Sequence, residues 1–242
     1  MGDGLHICDG VISLNDGDRV FRLEIDQLDL MAGQAVALTG ASGAGKTLML
    51  EVLGLLRAPG AGTKFNWVSD EASVDLAALW AQGPRSSALA AKRGALFGFV
   101  PQSGGLVPFL SVAENIALPQ QVSNRIDAVW AGELLDRLGL GDVAAMMPGA
   151  LSIGQRQRTA IARSLAHRPP FVIADEPTAA LDPDSADKVL DLLLDVAASK
   201  GSGVILSSHD VARIDRFGIK RLSLQTKTTG AHVLSRLAVA QC

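Results

Sequence analysis

Gly40, Ala41, Ser42, Gly43, Ala44, Gly45, Lys46 and Thr47 fit the pattern G-x-x-x-x-G-K-[ST] at every fixed position. This stretch constrains the fold more than any other in the chain. It follows an apolar run at 35–39 and opens onto a helix-forming run at 48–56, so a strand, a tight loop and a helix are expected in that order. The glycines let backbone N–H groups turn inward around a polyanion with no Cβ in the way. The helix start behind them adds partial positive charge. Lys46 would reach the β- and γ-phosphates, the Thr47 hydroxyl would hold a magnesium ion, and Leu48 follows as the next residue of the cradle. A chain built this way binds a nucleoside triphosphate.

A length of 242 residues allows one large α/β domain or two small ones, and 48% hydrophobic content supports a sizeable core. The net charge of −3 and the absence of a long Lys/Arg run argue against nucleic-acid binding. Cys8 and Cys242 lie at opposite ends, with no metal-ligand spacing, so a reducing cytosolic setting is expected. The first ten residues lack the charged and apolar regions of a signal peptide. No apolar run approaches the roughly 18 residues that span a membrane.

Residues 5–39 alternate short apolar runs with Asp/Gly turns at 15–18 and 31–33, which is strand and hairpin chemistry. Residues 63–98 are β-prone and broken by a Gly/Pro/Ser stretch at 82–87. They predict a small antiparallel appendage, with a strand at 97–100. Segment 110–140 is expected to be helical. Within 125–140, Ile126, Val129, Trp130, Leu134, Leu135 and Leu138 recur at helical spacing as a core face, and Gly139 is a terminator. A second helix is expected over 151–166, then a break at 167–170 and a fully apolar strand at 171–174 of the kind buried in parallel sheets. A helix at 185–199 and a strand at 204–207 follow. The tail from 222 alternates weakly and carries no readable chemistry.

Asp175 ends the apolar strand, the usual place for a metal-binding carboxylate in open α/β sheets. Glu176 follows directly, where a carboxylate can activate an attacking water. From about residue 20 to 216 the chain resembles the ATPase subunit of ATP-binding cassette (ABC) transporters. Val100-Pro-Gln102 is similar to that family's Q-loop, and Leu151-Ser-Ile-Gly-Gln155 to its signature motif LSGGQ. Ala180-Leu-Asp182 is similar to the D-loop, and Ser208-His209-Asp210 to the switch-histidine segment.

The resemblance implies an α/β phosphate-loop NTPase fold with a mostly parallel sheet, an antiparallel β appendage and an α-helical subdomain. One domain over 1–242 is expected, with its core at 1–100 and 168–242 and its helical part at 101–167. The implied cofactors are ATP and Mg2+. Lys46, Glu176, His209 and Gln102 would be catalytic, with Thr47, Gln102 and Asp175 holding the metal. Ser152, Gly154 and Gln155 would bind the γ-phosphate held by a second copy, giving a head-to-tail dimer with two sandwiched ATP molecules, and Asp182 would link the two sites. His209 would bond the γ-phosphate, and Gln102 would also sense the transmembrane partner.

Three positions depart from the family's pattern. Ile153 replaces a signature glycine, and Leu48 stands where a hydroxyl often follows. No aromatic precedes Val20, and Phe21, the nearby candidate for stacking adenine, is placed in the core by its apparent strand register. Looser nucleotide binding is expected from the last two. The run from Phe99 to Pro119 is similar to ATPases of lipoprotein-release and macrolide-efflux systems. Residues 104–119, including Leu106, Val107 and Phe109, would receive a coupling helix of a membrane permease. That would place the chain in the cytoplasm on the inner face of a membrane. The alternative is a regulatory ATPase that scaffolds a membrane complex without transport.

Overall fold

The computed structural model describes residues 3–70 and 72–239; Cys242 lies outside them. The chain begins with β1 (Gly4–Asp16), β2 (Arg19–Met31) and β3 (Ala35–Thr39), followed by α1 (Lys46–Leu53). Then come β4 (Lys64–Val68), β5 (Ser73–Asp75), α2 (Leu76–Trp80), α3 (Ser87–Leu96) and β6 (Phe97–Val100). α4 (Val112–Val122), α5 (Ala128–Arg137), α6 (Ile153–Leu165) and β7 (Phe171–Ala174) form the middle. α7 (Pro183–Ala198), β8 (Gly203–Ser207), α8 (Val211–Arg216), β9 (Lys220–Thr229) and β10 (His232–Val239) complete it. This is an α/β fold with a mixed sheet.

Two compact units emerge: Met1–Arg93 with Ser207–Cys242, and Gly94–Leu206. The expected division differs, since it placed 168–206 with the phosphate loop. By compactness that segment goes with the helices, because β7 pairs in parallel with both β6 and β8, and α6 packs on β6 and α7.

In the first unit the strand order is β5-β4-β1-β2-β10-β9-β3. β1 and β2 form a long antiparallel hairpin turning at Gly17, where φ is +55°. Alternation along β2 puts Leu23 and Ile25 in the core; it changes phase at Asp26 and Gln27, both exposed, and Leu28 and Leu30 are then the buried residues. β10 lies between β2 and β9, parallel to the first and antiparallel to the second. The weakly alternating tail is therefore an interior strand of the sheet. The expected appendage needs correction in its second half. β4 and β5 extend β1 antiparallel, but residues 76–96 hold two helices. Asp75 caps α2 by accepting from Ala78 N at 2.9 Å, which turns the chain out of the strand.

In the second unit β6, β7 and β8 form a parallel ribbon, and every residue of β7 and β8 is buried. β6 runs so close to α6 that a Cβ on Gly98 would sit 1.9 Å from the Ser164 carbonyl oxygen, so glycine is required there. The segment expected to be helical over 110–140 is two helices. They are separated at 123–127, where Asn124 has φ +54° and Asp127 caps α5. Trp130, Leu134 and Leu138 are fully buried, and Trp130 Nε1 donates to Leu165 O at 3.1 Å. Ile126 and Val129, read as part of that core face, are 73% and 75% exposed. Ile126 precedes the cap, so helical spacing does not apply to it. Gly139 terminates the helical segment at φ +59°.

Candidate nucleotide site

In the first unit the loop 40–45 joins β3 to α1. Its glycines Gly40, Gly43 and Gly45 all have positive φ (149°, 75° and 90°). A Cβ on Gly43 would meet nothing within 4 Å, so the loop is open on that side. Elsewhere it is tightly backed. A Cβ on Gly45 would lie 2.7 Å from the Phe21 ring, and one on Gly40 would lie 2.8 Å from the Leu224 carbonyl oxygen. Phe21 is half-buried against this loop, which corrects its assignment to the core.

Lys46 opens α1 and is only 6% exposed. Its Nζ donates to Gly40 O at 3.1 Å and Ala41 O at 3.2 Å, so the ammonium is held over the loop's own carbonyls. It also lies 3.4 Å from Nε2 and 3.5 Å from Nδ1 of His209. His209 is exposed and follows Ser208, whose N–H donates to Leu38 O at 3.1 Å. The structure thus brings the predicted lysine and histidine together at the end of β3. Ala41, Ser42 and Thr47 are exposed around them, whereas Ala44 is buried. Leu48 is 7% exposed, so its side chain joins the core and only its backbone can face a phosphate.

The second unit collects other predicted residues at the ends of adjacent strands. Val100 pairs with Ala174, and Asp175 N donates to Val100 O at 2.9 Å. Gln102 and Asp175 therefore leave neighbouring strands at the same edge, Gln102 exposed and Asp175 and Glu176 half-buried. Glu176 has φ +45°, an uncommon conformation for a residue with a Cβ and one that concentrates at functional sites.

The signature segment is locally well explained. Ser152 caps α6, its hydroxyl accepting from Gln155 N at 3.2 Å, while Gln155 Oε1 accepts from Ser152 N at 2.8 Å. This reciprocal box holds the helix start open to solvent, with Ser152 and Ile153 exposed. Gly154 faces open space. Asp182 likewise caps α7 from an exposed position, accepting from Ser185 N at 3.0 Å, and hydrogen bonding from the Ser185 side chain, then from its backbone N–H, holds its carboxyl below the usual carboxylate range.

Sequence reasoning missed three supports. Asn115, fully buried, accepts from Val107 N and donates to the carbonyls of Val107, Leu110 and Ser111. Arg163 donates to Gly105 O at 2.7 Å and Gly104 O at 3.2 Å. Together they hold the loop that presents Phe109, which is 76% exposed, while Leu106 and Val107 are half-buried. The third is Ser235 of β10, whose hydroxyl donates to Ala44 O at 2.7 Å. The buried, loop-bonding asparagine had a signal in its spacing after Ser111; Ser235 had none.

Comparison with known proteins agrees with this architecture. The ABC transporter family profile matches residues 23–179. The chain is 40% identical to the lipoprotein-releasing system ATP-binding protein LolD of Gluconobacter oxydans, over 78% of this chain and 80% of that protein. It is also 40% identical to an uncharacterized ABC transporter ATP-binding protein of Mycobacterium tuberculosis, over 75% of this chain and 70% of the other. A dimeric structure of the ATP-binding cassette MJ0796, in a post-hydrolysis state with ADP and Pi, superposes with a TM-score of 0.76. It has 28% identity and covers 98% of this chain and 99% of its own. The chain belongs to the ABC transporter family. Within it, this is an ATP-binding, ATP-hydrolysing transporter subunit.

Proposed function

We propose that the chain works as a motor for membrane permeases. Two copies close head to tail on two ATP molecules, and hydrolysis reopens them. The observation that carries this reading is the buried Lys46 held over the open phosphate loop with exposed His209 beside it. Lys46 and the loop N–H groups from Gly40 to Leu48 grip the phosphates. His209 bonds the γ-phosphate, and Glu176 takes the proton of the attacking water as general base. Gln102 orients that water. Ser152, Gly154 and Gln155 present their helix N-terminus to the phosphate held by the partner copy, and Asp182 links the two sites.

Among the described residues no group of three or more His, Cys, Asp or Glu is gathered for a metal. Magnesium needs no such cage, because it keeps waters and phosphate oxygens and takes only one or two protein carboxylates. Thr47, Asp175 and Gln102 would each supply an oxygen of the kind magnesium takes: a hydroxyl, a carboxylate and an amide carbonyl. Bound magnesium would neutralise charge on the β- and γ-phosphate oxygens.

The named relatives include lipoprotein-releasing ATPases, and we place the chain in that branch, on the cytoplasmic face of a membrane. Among the described residues no helix is long and apolar enough to cross a membrane, so attachment falls to the permease, which would dock along 102–119. Exposed Phe109 on its anchored loop supports this. Light scattering of the Glu176→Gln variant tests the dimer: Mg-ATP should convert a monomer to a dimer. A particle that stays monomeric at saturating Mg-ATP rejects the sandwich.

A further inference from the structure

The C-terminal hairpin of β9 and β10 touches the phosphate loop at both ends. Near Gly40 the contact is the Leu224 carbonyl, close enough that a Cβ at residue 40 would lie 2.8 Å away. Near Gly45 it is the Ser235 hydroxyl, 2.7 Å from Ala44 O, with both residues 0% exposed. Ser235 reaches this place because β10 is inserted between β2 and β9, with Ser235 opposite Leu23 on one side and Thr226 on the other.

We propose that Ser235 is a positioning residue for ATP binding and hydrolysis, acting through the Ala44–Gly45 peptide. A trans peptide is planar, so its carbonyl and its N–H point in opposite directions. Fixing the Ala44 carbonyl toward β10 therefore turns the Gly45 N–H the other way, toward the phosphate cradle. Gly45 sits at φ +90° and carries no Cβ, so its own backbone limits the orientation of this peptide less than another residue's would. The hydroxyl supplies the restraint, and burial makes the bond costly to break.

Removing the hydroxyl should weaken the phosphate grip. Titration calorimetry on the full chain at a temperature where all variants remain folded is the test. Ser235→Ala should bind ATP and ADP about tenfold more weakly, a loss of the size expected for one buried hydrogen bond. Tripolyphosphate, which has no base or sugar, should lose affinity by the same factor. Ile7→Ala weakens packing in the same unit on β1, where Ile7 is 1% exposed and pairs with Leu28 and Phe65 rather than with β9 or β10. It should lower Tm and leave all three affinities unchanged. If Ser235→Ala does not fold, Ser235→Cys keeps a weak donor of similar size and should give an intermediate loss. Unchanged nucleotide affinity in the serine variants, or equal losses in Ile7→Ala, overturns the proposal.

Discussion

Lys46 and His209 stand 163 residues apart in sequence, yet the lysine Nζ lies 3.4 Å from His209 Nε2 and 3.5 Å from Nδ1. The ammonium makes its shorter bonds to the carbonyls of Gly40 and Ala41. A triphosphate in the loop would offer it stronger, charge-assisted partners. Replacing Lys46 with alanine should therefore lower ATP affinity by about 10- to 100-fold. His209→Ala should leave ATP affinity within about threefold, because an exposed imidazole adds little to binding, while steady-state hydrolysis falls by about 100-fold. Equal losses of binding in both variants would contradict this division of roles.

The signature serine has one observed role, as a helix cap, and one proposed role at the dimer, and one substitution separates them. Its hydroxyl caps α6 through Gln155 N, and glycine at a cap costs only a few tenths of a kcal/mol relative to serine. Ser152→Gly should keep Tm within about 2 °C. In the Glu176→Gln background the same change should abolish the ATP-induced dimer seen by light scattering. A dimer that persists would reduce Ser152 to a helix cap.

His167 gives the protein a pH-dependent stability. It is 5% exposed, its Nε2 bonds Phe97 O at 3.2 Å, and its Nδ1 is buried with no hydrogen-bond partner. Burial lowers its pKa below the ordinary 6.5; the bond to Phe97 opposes this, and the Arg125 charge adds to the lowering. The unfolded chain then takes up a proton that the folded chain refuses. Stability is full above pH 6.5 and is lost as pH falls toward the lowered folded value. His167→Gln should flatten the fall in Tm between pH 7.5 and 5, relative to wild type. Parallel profiles would show that the imidazole does not titrate differently on folding.

Phe109 and Asn115 should behave oppositely. Phe109 is 76% exposed, so Phe109→Ser should change stability by less than about 0.5 kcal/mol and leave basal ATP hydrolysis alone. Asn115→Ala removes the anchor of the loop and strands buried backbone groups, so about 2–3 kcal/mol of stability should go. Urea denaturation measures both. Only the proposed permease complex should respond strongly to Phe109→Ser, read by co-purification.

Much of the candidate site was legible because its parts are contiguous in the chain. The phosphate loop, the Ser152–Gln155 box and the Asp182 cap are each set by residues within a few positions of one another. Local sterics and hydrogen bonding specify such motifs without help from the rest of the molecule. The helix breaks were harder. Helical spacing alone placed Ile126 and Val129 on the core face, but the cap at Asp127 starts α5 after Ile126 and leaves both exposed. At 76–96, glycine and proline at 82–87 signalled a turn, and the two short helices on either side of it gave too little periodicity to separate from strand.

By itself, then, the amino-acid sequence specified the glycine-rich loop at 40–47 and the roles proposed for Lys46, Asp175, Glu176 and His209. Tertiary structure alone decided what braces that grip: Phe21 against Gly45, Leu224 against Gly40, and Ser235 on Ala44. Those contacts depend on which strands become neighbours. β10 lies beside β2 although more than 200 residues separate Val20 from its partner His232. Period-2 alternation says which side of a strand faces inward, but not which strand lies next to it. Only the assembled sheet could bring Ser235 to the phosphate loop.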